Sequence, residues 1–217
     1  MFVFPRGTLV NRVIPKSKIL ANTRASTRLK DLLTSEIQQI RWLAKLSPAT
    51  TNLKSSPHVP EIQVFQIQLK GPDITPDLLD LLDKAIPHPL FHLLLSPSDQ
   101  QAWSAAHKRP SDSDPSKWVT GPRFTSPFKI PPSSFPPLPT APDLDHLYAS
   151  LFAPLLPLTP KSAEPLPYLI ARCQHHQSLD RQIKQLTSKV NRERQFKRRI
   201  TLNQELNRLH AELSKLS

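Results

Sequence analysis

Apolar residues recur at helical spacing through the C-terminal part of the chain. Two aliphatic runs repeat at steps of three and four, and a strongly basic stretch separates them. Such a narrow apolar seam is typical of a helix that pairs with another helix. The pattern therefore predicts a coiled-coil tail over residues 167–217. The seam residues are Leu179, Ile183, Leu186, Val190, Leu202, Leu206, Leu209 and Leu213.

The two halves of this seam do not share one heptad phase. Twelve residues separate Val190 from Leu202, so either the seam shifts phase or the helix breaks into a hairpin. We favour a continuous helix, because neither Gly nor Pro interrupts residues 168–217. An exposed seam would be unstable, so we expect it to pair with a second copy, with the body of the chain or with a partner protein.

The preceding part of the chain alternates between strand-like and helix-like patterns. Residues 61–70 (EIQVFQIQLK) form the clearest strand, leucines behind Pro76 have helical spacing, and 89–95 (PLFHLLL) has the length of a buried strand. This succession favours a strand–helix–strand crossover unit. Further strands are predicted at 9–14, 40–46, 101–107 and 117–124, and helices at 26–40 and 144–152. The strand at 40–46 would follow directly after the first of these helices.

These elements predict an α+β fold for the body, residues 8–153. We expect a mixed sheet with at least two helices, and a ferredoxin-like βαββαβ order as its topology. Proline is unusually frequent, with 25 Pro against 3 Gly. Its distribution predicts Pro-rich loops at 110–142 and a Pro-rich linker at 154–166.

The net charge of +12 is concentrated at the two ends of the chain, while residues 61–160 are mildly acidic. This distribution fits contacts with a polyanion such as the backbone of DNA or RNA. The alternatives are a solvated basic surface and an acidic protein partner. The candidate nucleic-acid-binding residues are Lys189, Arg192, Arg194, Lys197, Arg198 and Arg199 in the tail, and Lys16, Lys18, Arg24 and Arg28 near the N-terminus.

Only one pattern points to catalysis. Gln68-Leu69-Lys70, at the end of a predicted strand, is similar to the [E/Q]-x-K tripeptide of restriction nucleases, in which an acidic residue holds Mg²⁺ and the Lys orients water. Glu61 or Asp73 would be the acidic partner. Glu61, Gln68 and Lys70 are therefore weak candidates for a nuclease site, and a charged strand end is the commoner explanation.

No metal or cofactor site is predicted. His88 and His92 lie on a predicted strand, where four residues separate them by about 13 Å, too far to share a metal. The single cysteine, Cys173, excludes an internal disulfide and is typical of a small buried hydrophobe. The chain lacks a long apolar run and a secretory signal, so we expect no membrane contact and a cytoplasmic location.

Seven segments together carry a family resemblance. They are VNRVIPK at 10–16, EIQQIRWLAKLSPATTNL at 36–53, EIQVFQIQLK at 61–70, LLDLLDKAIPHPLFHLLL at 78–95, SAAHK at 104–108, LDHLY at 144–148 and RERQFKRRITLNQELNRLHAEL at 192–213. The chain thereby resembles the bacterial and archaeal proteins of domain-of-unknown-function family 4391. The resemblance implies an α/β body followed by a coiled-coil tail, and it brings no established activity.

Members of that family are often encoded near helicases and DNA methyltransferases of restriction or phage-defence type. The resemblance therefore implies a non-enzymatic accessory protein in such an assembly, which contacts nucleic-acid backbone through its basic segments and partners through its coiled coil. The alternative hypothesis is a degenerate or active Mg²⁺-dependent nuclease that uses Lys70.

Overall fold

The chain forms two compact units, Met1–Leu155 and Leu156–Ser217. The computed structural model describes residues 2–114, 117–130, 135–162 and 164–216. The first unit holds a mixed sheet with flanking helices, and the second holds two long helices. The α+β class predicted from the sequence is therefore confirmed.

The sheet of the first unit contains six strands among the described residues. They are β1 (Leu9–Val13), β2 (Ile37–Leu46), β3 (Ile62–Leu69), β4 (Leu90–Leu95), β5 (Gln101–Pro110) and β6 (Trp118–Thr125). The helices of this unit are α1 (Lys16–Ala21), α2 (Thr27–Glu36), α3 (Pro48–Thr51), α4 (Pro76–Ala85) and α5 (Leu144–Phe152), with short 3-10 turns at Arg6–Thr8 and Ala153–Leu155.

The strands lie in the sheet in the order in which they follow along the chain. Neighbours are antiparallel, except that β3 and β4 are parallel and connected through α4. The predicted crossover unit is thus confirmed. The ferredoxin-like topology is wrong, because antiparallel strands extend the sheet in chain order on both sides of this crossover.

Both edge strands of the sheet pair irregularly. The register of β1 against β2 shifts between Leu9 and Arg12, where Asn11 has a φ of 52°. The register of β6 against β5 shifts between Ala106 and Lys108, and β6 contains Pro122, which has no amide hydrogen. The interior pair β2–β3 also shifts register twice, so pairing without a shift is found for β3 with β4 and for β4 with β5.

The two central strands are buried on both faces. On one face, Leu90 and Leu94 of β4 belong to the same apolar cluster as Leu78 and Leu82 of α4. On the other face, the ring of Phe91 packs edge-on against aromatic rings of α5. Cover on both faces explains why β4 is almost continuously apolar and why β3 carries apolar residues on both of its faces.

The helix predicted over 26–40 ends earlier, at Glu36. Its start is capped as expected, since the Ser26 hydroxyl accepts a hydrogen bond from the backbone N–H of Leu29 at 3.3 Å. Ile37 then pairs with Leu69 at the start of β2. Pairing with the central strand therefore prevails over the helical spacing that continues to residue 40.

The second unit is a helical hairpin, so the favoured continuous helix is wrong. It consists of α6 (Leu166–Arg192) and α7 (Phe196–Leu216). The helices are antiparallel, because Arg172 donates a hydrogen bond to the carbonyl of Leu216 at 2.6 Å, and His175 Nε2 lies 3.1 Å from Glu212 Oε1. The twelve-residue interval in the seam is where the chain reverses direction.

Glu193 makes this reversal without Gly or Pro. It leaves the helix with extended torsion angles, φ −75° and ψ 122°. Its carboxylate accepts a hydrogen bond from the backbone N–H of Gln195 at 2.9 Å, which satisfies a donor just before α7. Leu179, Ile183 and Leu186 on α6 are buried, and this burial stabilises the hairpin. The half-buried seam residues are Val190, Leu202, Leu206, Leu209 and Leu213.

The Pro-rich segments are only partly irregular. Within the loops predicted at 110–142, β6 occupies Trp118–Thr125, close to the strand expected at 117–124. Residues 115–116 and 131–134 of this stretch, and residue 163 of the predicted linker, lie outside the described residues. Among the helices that are described, none is long and apolar enough to cross a membrane.

Candidate functional site

The densest positive charge of the chain lies at the closed end of the helical hairpin. The last turn of α6, the connection of residues 193–195 and the first turn of α7 bring six cationic side chains together, with Glu193 among them. A single long helix would have spread them along its axis, whereas the hairpin gathers them at one end. We call these residues the tip cluster: Lys189, Arg192, Arg194, Lys197, Arg198 and Arg199.

The tip cluster is available to solvent. All six residues are exposed. Arg198 forms a loose ion pair with Glu193, with 3.7 Å between Nε and Oε2, and no other ion pair involves the cluster within the described part of the chain. An exposed pair at this distance stabilises the fold little, so the cluster is free to bind an external anion.

Two apolar side chains accompany the tip cluster. Phe196, the first residue of α7, is 67% exposed, and Ile200, one turn later, is 42% exposed. The guanidinium of Arg199 lies over the Phe196 ring, 6.0 Å from its centroid. Both residues lie outside the apolar periodicity of the seam, so the sequence pattern does not explain why they are apolar.

A shallow groove extends the basic surface along α6. Lys184, Gln185, Ser188, Lys189 and Arg192 line it, and these residues span about 12 Å of the helix axis. Lys184 pairs with Asp180, with 2.7 Å between Nζ and Oδ2, whereas Lys189 and Arg192 belong to the tip cluster. The groove therefore becomes more basic toward the tip.

The N-terminal basic residues lie in the first unit, around α1 and α2. Lys16 is engaged within the fold, because its amine donates a hydrogen bond to the carbonyl of Ile37 at 2.5 Å. Burial, together with the positive charge of Lys70, lowers the pKa of Lys16. Lys18, Arg24 and Arg28 are exposed. Three of the four predicted cations are thus open to solvent.

The structure does not bring the nuclease candidates together. Lys70 follows β3 and donates a hydrogen bond to the carbonyl of Thr34 at 2.8 Å. Glu61 precedes the same strand, about 30 Å away, and forms an ion pair with Lys45 at 2.6 Å. Gln68 is half-buried near the Lys70 end.

An acidic residue near Lys70 comes instead from the end of α2, just before the neighbouring strand β2. The backbone N–H of Lys70 donates to the carbonyl of Glu36 at 2.8 Å. The Glu36 carboxylate is already occupied, since it accepts hydrogen bonds from the backbone N–H and the hydroxyl of Thr75 at 2.7 and 2.6 Å. Among the described residues, no group of three or more His, Cys, Asp or Glu could hold a metal ion.

A buried ionic network between α4 and the sheet was missed by the sequence reasoning. Asp83 of α4 is at its centre, and its side chain is fully buried. Lys108 Nζ lies 3.1 Å from Asp83 Oδ1, His92 Nε2 lies 3.4 Å from the same oxygen, and Arg123 contacts Oδ2. Arg123 also reaches Asp80 at the surface, with 2.7 Å between the charged atoms.

The surroundings of Asp83 offset the cost of its burial. Burial alone would raise the pKa of Asp83, but His92, Lys108 and Arg123 hold it well below its usual range. Burial lowers the pKa of His92 and the pKa of Lys108, although the Asp83 carboxylate opposes both shifts. The network connects α4 with β4, β5 and β6.

An apolar cavity of about 400 Å³ lies elsewhere in the first unit. Aromatic rings of Phe4, Phe91 and Trp103 contribute to its wall, and none of the residues that line it is charged. A polyanion would find no counter-charge there. Among the described residues, the exposed clusters of cations are therefore the sites whose chemistry fits nucleic acid.

Together, the fold and the tip define a mixed-sheet protein that carries a basic helical hairpin. Residues 2–213 match the family described as Domain of unknown function (DUF4391), and the chain belongs to that family. The match covers nearly all of both units and confirms the family resemblance found in the sequence. No curated protein and no solved structure matches the chain.

Proposed function

We propose that this protein is a non-enzymatic accessory subunit that binds the backbone of nucleic acids through the tip cluster. The observation that carries the proposal is the gathering of six exposed cations around one carboxylate at the end of the hairpin. Lysine and arginine side chains contact phosphates without regard to base sequence and release the condensed counterions. Binding of this kind is strong at low salt and weakens steeply as salt rises.

The hairpin suits this role because its two helices are packed together and are held at the end opposite the tip cluster. The seam of α6 is buried, and Arg172 ties the end of α7 to α6. Glu164 receives Arg172 in an ion pair at 2.7 Å, which strengthens the same end of the hairpin. The cations therefore project from a structured support, so less ordering is needed when a phosphate strand binds.

The wider setting of the proposal comes from the family resemblance. The protein would serve in a DNA restriction-modification or phage-defence assembly, with the tip on DNA or RNA and other surfaces on protein partners. The half-buried seam of α7 is one surface that a partner helix could cover.

The test is a salt titration of binding, followed by fluorescence anisotropy with labelled duplex and single-stranded DNA. The tip variant combines Arg192→Gln, Arg194→Gln and Lys197→Gln, three residues whose side chains form no ion pair among the described residues. If each contacts one phosphate, the slope of log affinity against log salt falls by about 2 to 3.

The matched control removes the same charge from elsewhere in the hairpin, through Arg181→Gln, Arg208→Gln and Lys215→Gln. We expect its slope to stay near that of the unmodified protein. Equal losses in both variants would mean that only net charge matters, and absence of binding at low salt would overturn the proposal.

The nuclease alternative is tested with the same protein and the same labelled DNA. Its support is the position of Lys70 at a strand end beside Glu36. That hypothesis requires Mg²⁺-dependent cleavage that Lys70→Ala abolishes. The accessory-subunit proposal requires that Lys70→Ala leave affinity for nucleic acid unchanged.

A further inference from the structure

We infer that the hairpin tip binds single-stranded nucleic acid by stacking an unpaired base on Phe196. This inference rests on the proposed function and names its substrate class. The observation behind it is the coincidence of an exposed aromatic ring with the tip cluster.

Phe196 contributes nothing evident to the packing of the hairpin. It lies off the phase of the seam, and its ring is 67% exposed. A phenyl ring left in water forfeits the favourable burial that apolar side chains gain in a core. The basic character of the tip would be retained with any polar residue here, so the ring needs another explanation.

The neighbours of Phe196 are arranged for a base and its phosphates. Arg199 lies over one face of the ring, 6.0 Å from the centroid. Lys197 follows in sequence, and Arg194 precedes by two residues. Ile200 is one turn further along α7 and offers a second apolar contact about 6 Å along the axis.

The backbone of the bound strand has its own path beside the ring. The groove on α6 ends at Arg192, the last residue of that helix, and Lys189 also lines it. Proteins that bind single strands combine a basic groove for phosphates with aromatic side chains on which bases stack. The tip provides both features within two helix ends and one short connection.

Unpaired bases are favoured over a duplex because stacking needs an open base face. In a duplex the base faces are covered by neighbouring pairs, and only edges are accessible in the grooves. An anionic membrane is the less suitable target. Membrane-bound helices present a broad apolar face, whereas the leucines of α7 belong to the hairpin seam and leave only Phe196 and Ile200 at the tip.

The experiment compares three labelled probes by fluorescence anisotropy with the full chain. They are a single strand of about 20 nucleotides, a duplex of the same sequence, and an abasic strand with the same number of phosphates. Phe196→Ala should weaken binding to the single strand by about 5-fold or more. Its affinities for the duplex and the abasic strand should be unchanged, and Phe196→Trp should retain tight binding to the single strand.

Matched variants separate this inference from the proposed function. Ile200→Ala removes a neighbouring apolar side chain and should have a smaller effect than Phe196→Ala. If Phe196→Ala leaves single-strand affinity unchanged while the Arg192, Arg194 and Lys197 variant loses it, the stacking inference fails and the backbone proposal stands. If the unmodified protein binds no probe at low salt, both fail.

A cosedimentation assay with phosphatidylserine vesicles covers the membrane outcome. We expect Phe196→Ala to change vesicle binding no more than the charge-neutralised control with Arg181, Arg208 and Lys215 replaced. A loss of vesicle binding in Phe196→Ala, with single-strand affinity retained, would overturn the inference and identify the tip as a membrane contact.

Discussion

Asp83 receives three basic side chains inside the first unit, and each comes from a different strand. Lys108 is held especially firmly, because its amine also donates hydrogen bonds to the carbonyls of Asp83 and Ile86 at 2.8 and 2.7 Å. Removing the carboxylate would leave buried cations without their counter-charge. Such a loss costs more than the intact pair contributes, because the desolvation of the remaining charge is no longer offset.

We therefore expect Asp83→Asn to lower the free energy of unfolding by about 3 to 5 kcal/mol. Urea unfolding followed by tryptophan fluorescence measures this change. The signal reports on the first unit alone, because Trp42, Trp103 and Trp118 all lie within it.

Asp80→Asn is the control for this prediction. Asp80 contacts the same Arg123 at 2.7 Å, but its side chain is 52% exposed. Its replacement should cost about 1 kcal/mol or less. Similar losses for both variants would contradict the view that burial makes Asp83 critical.

Single residues of this network were partly foreseeable from the sequence. Ala102, Ser104, Ala106 and Lys108 alternate along β5, which indicates that Lys108 shares the buried face. Its partner could not be identified in the same way, because Asp83 comes from a helix 25 residues earlier. Only the packing of α4 over β4 and β5 brings the two together.

At the level of elements, the strands and helices of the first unit were largely predictable, because their apolar periodicity is strong and Pro or Gly flanks several of them. The helix over Leu144–Phe152 was predicted with its observed bounds. The break in the tail was not, because a carboxylate that bonds the backbone leaves no strong sequence signal. The phase mismatch between Val190 and Leu202 was the available indication.

The hairpin predicts a specific chemical cross-link. With His175→Cys and Glu212→Cys, a short bismaleimide should join the two positions within one chain, since the native side chains lie 3.1 Å apart. In a continuous helix these positions would be about 55 Å apart, and only links between copies could form. Mass spectrometry of the product distinguishes the two arrangements.

The control pair places the second cysteine at the opposite end of the hairpin, with His175→Cys and Lys197→Cys. These positions are about 25 Å apart along the axis, so the short reagent should not join them. The native Cys173 is buried and should react slowly. A covalent dimer from the first pair would contradict the intramolecular hairpin.

For the whole molecule, the distribution of charge was evident from the sequence, but its geometry was not. The family match spans residues 2–213, so the hairpin belongs to the family architecture together with the sheet. The sequence shows where both basic segments lie along the chain. It could not show that one forms a convex tip, because that depends on where the tail reverses.

The N-terminal cations allow a separate test of nucleic-acid binding. Replacing the exposed Lys18, Arg24 and Arg28 by Gln should lower the salt slope of nucleic-acid binding by about 2 to 3 if each contacts a phosphate. Combined with the tip variant, the losses should add, because the salt slope follows the number of phosphates that are contacted. An unchanged slope in anisotropy titrations would mean that these cations are simply solvated.

The irregular edges of the sheet have a consequence for how the protein behaves when it is concentrated. A smooth edge strand offers a template on which other chains can add strands and form aggregates. Here the left-handed Asn11 interrupts one edge, and Pro122 removes a donor from the other. Neither edge presents an unbroken row of amide groups, so the sheet is protected against growth into fibrils at high protein concentration.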